Sequence, residues 1–135
     1  ISLGKKSRHA EAEALLRETL PHLEARSSPG VDAVNHAYAL AALAELLVNT
    51  DGDAREALRL ARQAGDVMQP LASGNFMVVY FNAIRAEVRA RLRLGDKPGA
   101  TAAVTRFGSL LDGHNEPAGS HWRKSTAELQ AMIAR

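Results

Sequence analysis

Residues 46–64 read LLVNTDGDAREALRLARQA, and residues 91–107 read RLRLGDKPGATAAVTRF. Each joins the leucine-rich end of one helical segment to the alanine-rich start of another through a short Gly-Asp break. Gly52 and Gly95 stop the first segment of each pair, because glycine accepts a left-handed C-terminal cap without steric cost. Asp96 and Pro98 suit the start of the helix that follows Gly95. Working outward, helical periodicity recurs over six segments, near 7–26, 32–49, 53–69, 75–94, 98–111 and 120–134. No stretch alternates with period two for long enough to form a strand. The reading is therefore all-α, with short connections that make neighbouring helices antiparallel.

Several local signals refine this outline. Ala12, Leu15, Leu16, Leu20 and Leu23 share one side of the first segment, where Pro21 is expected to kink the helix or end it early. Ser27-Ser28-Pro29-Gly30 reads as a loop, Gly52 as a left-handed cap, and Asn75 as the N-cap of the fourth helix. Pro70 closes the third helix, and Trp122 reads as a lid over the core from the last one.

Composition agrees with this outline. Of 135 residues, Ala and Leu supply 42 and the aromatic types only 6, a balance that favours helices over strands. The absence of cysteine excludes disulfides, thiolate catalysis and cysteine-based zinc sites. No apolar run is long enough to cross a bilayer: Phe76 to Phe81 and Ala37 to Ala44 are both far too short. Neither a signal-peptide pattern nor an initiator Met opens the chain, so the expectation is a cytoplasmic segment of a longer polypeptide.

The helix, Gly-Asp turn, Ala-rich helix unit repeats after about 40 residues, a period typical of helical repeat architectures. Gly52 and Gly95, Ala57 and Ala100, Ala64 and Phe107, and Pro70 together resemble the tetratricopeptide (TPR) family: its turn glycine, its small residue early in the second helix, its later packing position and its closing proline. The large aromatic that opens the family's first helix is missing, and the period exceeds its roughly 34 residues. The resemblance implies a right-handed superhelix of antiparallel helix pairs. It divides one domain, 1–135, into an orphan helix (8–26), two repeats (32–69 and 75–112) and a capping helix (119–134), in the manner of repeat regions attached to large bacterial regulators.

Net charge is +2, split as −2 over residues 1–67 and +4 over 68–135. On a projection of 100° per residue, Met77, Phe81, Val88 and Leu92 form one face of the fourth helix. Phe76, Ala83, Ala90 and Leu94 form a second, and Asn82, Arg85, Arg89, Arg93 and Val78 occupy the remaining arc. Since a first helix of a TPR-like repeat turns its third side to a concave groove, Asn82, Arg85, Arg89 and Arg93 are expected to line it as a basic ladder. A solvated face neutralised by acids elsewhere in the chain is the alternative. On the second helix, Tyr38, Glu45 and Asn49 fall opposite Leu43 and join the candidate groove. A complete carboxylate clamp of the kind that grips chaperone tails is not expected, because Ala41 and Glu45 stand where basic residues would be needed.

The function expected from these features is non-catalytic: a module that binds a protein or peptide, with an acidic group suited to the arginines. Self-association through the first helix and nucleic-acid binding through the basic stripe are the competing readings, the latter weakened by the lack of interleaved aromatics. No nucleophile, base and orienting group converge in the sequence. No metal site or cofactor is expected: of His9, Glu11 and Glu13 only His9 and Glu13 share a helix face, and His114, Asn115 and Glu116 with His121 lack an HExxH-type spacing.

Overall fold

The computed structural model describes residues 2–25 and 31–135, so the expected loop Ser27–Gly30 lies outside the described residues. The chain is all-α: α1 (Ser2–Ala25), α2 (Val31–Asn49), α3 (Ala54–Met68), α4 (Met77–Arg93), α5 (Lys97–Gly113) and α6 (His121–Ala134). Short 3-10 turns at Gln69–Leu71 and Gly74–Phe76 separate α3 from α4, and no strand occurs among the described residues. Every helix packs on its neighbour in sequence; α2 also touches α4 directly, and α4 touches α6.

The helix ends follow from local chemistry. Asp53 caps α3 by accepting hydrogen bonds from the backbone N–H of Arg55 (2.9 Å) and Glu56 (3.3 Å). Asp96 caps α5 through Gly99 N–H (2.9 Å), and Ser120 caps α6 through Arg123 N–H (3.3 Å). Gly95 has φ +76° and closes α4, with Asp96 N–H donating to Arg91 O at 2.8 Å, the wrapped end that a left-handed residue permits. Asn115 (φ 56°) plays the same part after α5, with Glu116 N–H donating to Leu111 O at 3.0 Å.

Three capping and breaking expectations are corrected. Gly52 is not left-handed; it is needed because a Cβ there would stand 2.7 Å from Leu47 Cδ2 and 2.9 Å from Leu47 O. Pro21 does not end α1, which continues to Ala25; its missing N–H forfeits only the bond that would run back to the Arg17 carbonyl. Asn75 does not cap α4. It sits inside the 3-10 turn after Gly74 (φ 51°), and α4 starts with no side-chain cap at all.

The core is built where helices approach most closely. Ala57, Ala64 and Ala100, the small positions singled out in the sequence, are fully buried, as are Phe107 and Leu111. Phe107 meets the rings of Tyr80 (centroids 5.9 Å apart), Phe81 (5.3 Å) and Trp122 (6.2 Å), so the few aromatics collect where α4, α5 and α6 meet. Three apolar side chains expected to pack stay exposed: Leu15 on α1, and Phe76 and Leu94, which flank the two ends of α4.

One charge lies inside this core. Glu87, 2% exposed, accepts from Arg91 Nε at 2.7 Å and from Arg106 Nη2 at 2.7 Å. Arg91 also donates to Asp96 Oδ2 at 2.8 Å. Burial disfavours the Arg91 charge, but the hydrogen bonds to Glu87 and Asp96 outweigh it and raise its affinity for the proton. The network thus ties α4 to the cap of α5 and to Arg106 on its flank, with the buried carboxylate paired as it must be.

Candidate functional site

All seven residues picked from the sequence lie on the shared face of α2 and α4. Arg85 Nε donates to Glu45 Oε1 at 2.6 Å, and its Nη2 also reaches that oxygen and donates to Asn82 Oδ1 at 3.3 Å. Arg89 Nη1 donates to Asn49 Oδ1 at 2.6 Å. Both cross-links join positions 40 apart in sequence, so α2 and α4 run parallel with a constant offset. That register sets Tyr38 level with Val78, and both are exposed, at 58% and 45%.

Arg93 does something the sequence did not suggest. Its guanidinium donates to Leu47 O (3.1 Å), Thr50 O (3.4 Å) and Gly52 O (2.9 Å). Those oxygens lie in the last turn of α2 and the turn after it, where carbonyls lack intrahelical partners and a cation is favoured. Arg93, from α4, thus caps the C-terminal end of α2.

The arginines therefore divide into two kinds. Arg85 is matched by the carboxylate of Glu45, which is the internal neutralisation weighed against the open ladder. Arg89 and Arg93 contact only neutral oxygens, and neither has a carboxylate within 4 Å among the described residues. Arg93 meets the negative end of α2, whereas the charge of Arg89 faces only the neutral Asn49 amide.

Beside this face, α4 and α6 enclose a groove of about 300 Å³. Phe81, Trp122, Leu129 and Met132 supply its apolar surface, while Asn82, Arg85, His121 and Glu128 supply its polar rim. The Phe81 and Trp122 rings lie 5.5 Å apart, and the Arg85 guanidinium sits 5.5 Å from the Phe81 centroid, a cation–π contact. Val78 forms one lip. Sequence reasoning placed Phe81 on a packing face of its helix and preferred a core lid over a ligand platform for Trp122. Val78 carried the available signal: an apolar residue on the same arc as Asn82 and Arg85.

No family model, no curated protein and no solved structure matches the chain. The fold and site define it as an all-α chain with a partly apolar, partly basic groove. No helix among the described residues is long and apolar enough to cross a membrane. Nor do three or more His, Asp or Glu side chains among them gather closely enough to hold a metal ion.

Proposed function

We propose that the chain is a TPR-like, non-catalytic interaction module whose α2–α4–α6 face binds a short partner peptide in extended form. In this reading α2–α3 and α4–α5 are the two repeats, α1 is the second helix of a preceding unit and α6 is the cap. The observation that carries it is the juxtaposition of the apolar groove at Phe81 and Trp122 with the uncompensated charge at Arg89. Along α4 the two are about 12 Å apart, the reach of about four extended residues. The occupant that fits has an apolar side chain for the groove and an acidic one about four positions away.

The test uses synthetic peptides of that pattern, with Trp122, the single tryptophan, as the fluorescent reporter. Arg89→Gln keeps a donor for Asn49 and removes the charge; Val78→Asp places a charge at the groove lip, where the peptide's apolar side chain has to enter. Each is expected to weaken binding at least ~10-fold, the loss expected for a charge-assisted hydrogen bond. Equal affinity for wild type and both folded variants would refute the assignment.

A second reading rests on Leu15, which is 64% exposed on α1. A copy of the chain docking there would make the module self-associating. Sedimentation should then show a dimer that Leu15→Glu abolishes; a strict monomer at high concentration would dispose of this reading.

A further inference from the structure

The outer faces of α1 and α3 carry opposite charge at the same spacing. On α1, Leu16 and Leu20 pack on the core, and the arc opposite them carries Glu11, Leu15 and Glu18, all exposed. On α3, Ala57, Leu60 and Ala64 are buried, and the arc opposite them carries Arg55, Arg62 and Asp66, also exposed. Glu11 and Glu18 stand seven residues apart, as do Arg55 and Arg62, which is two turns and about 10.5 Å on either helix.

The charges at the seam between the two helices are matched within the chain. Arg17 pairs with Glu13 at 3.0 Å and with Glu56 at 2.7 Å, and Arg59 adds a looser contact with Glu56 at 3.8 Å. The outer charges are not. Glu11, Glu18, Arg55, Arg62 and Asp66 have no side-chain partner among the described residues, and neither has exposed Arg8, one turn before Glu11. Read from its N-terminal end, α1 presents Arg8, Glu11 and Glu18, in the order plus, minus, minus. Read from its C-terminal end, α3 presents Asp66, Arg62 and Arg55, in the order minus, plus, plus. A partner of uniform charge is repelled by half of this surface, whereas a second copy, turned round, matches it.

The fold allows that match to close on itself. Both α1 and α3 pack against α2 through short connections, so each runs opposite to α2 and parallel to the other. A two-fold axis between them lays α1 of one copy antiparallel over α3 of the second, and the reverse. In that register Glu11 faces Arg62, Glu18 faces Arg55 and Arg8 faces Asp66, each across the two copies. Leu15, 64% exposed, then lies on the half-buried Leu58, in a shallow hollow that Arg55 and Arg62 also line.

We propose that the chain forms a two-fold dimer in which α1 of each copy docks antiparallel on α3 of the other. This rests on the reading of exposed Leu15 as a self-association site, and it supplies the surface that receives the leucine. Since α1 and α3 lie outside the α2–α4–α6 face, the dimer leaves both grooves open and presents them as a bivalent pair.

The test is sedimentation of the intact chain over a range of concentrations, with charge reversals at exposed positions whose folding is checked by circular dichroism. The wild type is expected to dimerise, more weakly as salt rises. Glu18→Arg and Arg55→Glu should each weaken self-association at least ~10-fold by setting like charges face to face. Mixed together, these two variants should form a heterodimer, because each reversal meets the other. Glu18→Arg mixed with Arg62→Glu should not, since the antiparallel register sets Glu18 against Arg55. A strict monomer at high concentration would overturn the proposal together with the Leu15 reading. A dimer that Leu15→Glu abolishes, but that the charge reversals leave intact or their mixture fails to restore, would overturn this interface alone. Equal restoration by Glu18→Arg with Arg62→Glu would do the same.

Discussion

Replacing two glycines by alanine, one at a time, should move stability in opposite directions. At Gly52 the added Cβ would stand 2.7 Å from Leu47 Cδ2, 2.9 Å from Leu47 O and 3.0 Å from Leu47 Cα, against an optimum near 3.5–4.0 Å for carbon pairs. Two of those three atoms are backbone, and the Leu47 side chain is buried in the core, so no rotamer change relieves the overlap. Arg93 also donates to the Gly52 carbonyl, which fixes the turn from outside. The cost should resemble overpacking, about 1–3 kcal/mol. Gly65 lies inside α3 with nothing within 4 Å of its would-be Cβ, so alanine there should add about 0.5–1 kcal/mol through helix propensity and a less flexible unfolded chain. In urea, with an m-value of about 1.5 kcal/mol/M, the midpoint should fall by roughly 0.7–2 M for Gly52→Ala and rise by roughly 0.3–0.7 M for Gly65→Ala. Shifts of the same sign, or a neutral Gly52→Ala, would refute the close approach at the α2–α3 turn.

Other outcomes follow from the same contacts. Ala100→Leu, at a fully buried position on α5, should destabilise by about 1–3 kcal/mol in the same urea assay. Arg91→Met removes a donor from buried Glu87 and from Asp96 while Arg106 remains, so a loss of about 2–4 kcal/mol is expected; a change within 0.5 kcal/mol would contradict a buried charge that needs both arginines. Acid should also weaken the fold. The Arg17 hydrogen bonds hold the Glu56 carboxyl below its ordinary range, and the Gly99 N–H and then Arg91 do the same for Asp96. Both groups bind protons more weakly folded than unfolded, so their stabilisation is complete above the unfolded pKa near 4 and is lost as pH falls through the lower folded values. Thermal midpoints measured from pH 6 down to pH 2 should decline in that window, and less steeply in Arg17→Gln.

Much of the outline was legible because it rests on local chemistry. Gly95 with Asp96 reads as stop and start from the residues alone, and Ala57, Ala64 and Ala100 mark close approaches through their spacing. What failed depended on neighbours. Gly52 and Gly95 look equivalent in sequence, yet one is required by the bulk of Leu47 and the other by a left-handed φ. Leu15, Phe76 and Leu94 satisfy the helical projection but lie where no other helix covers them. The basic ladder was placed on the right face, while its partners come from α2, 40 residues earlier, and a projection of one helix cannot supply that register. The burial of His36, a polar residue on the same helix as Leu40, Leu43 and Leu47, also follows from its helical spacing to them.

The most direct test of the partner-binding account is to map a bound peptide by amide NMR. A peptide with an apolar residue and an acid about four positions apart should perturb Val78, Phe81, Asn82 and Trp122 at one end and Arg89 at the other. Those shifts should vanish in Val78→Asp. Perturbations confined to α1, α3 or α5, or shifts that persist unchanged in Val78→Asp, would contradict the claim that the α2–α4–α6 face is the binding surface.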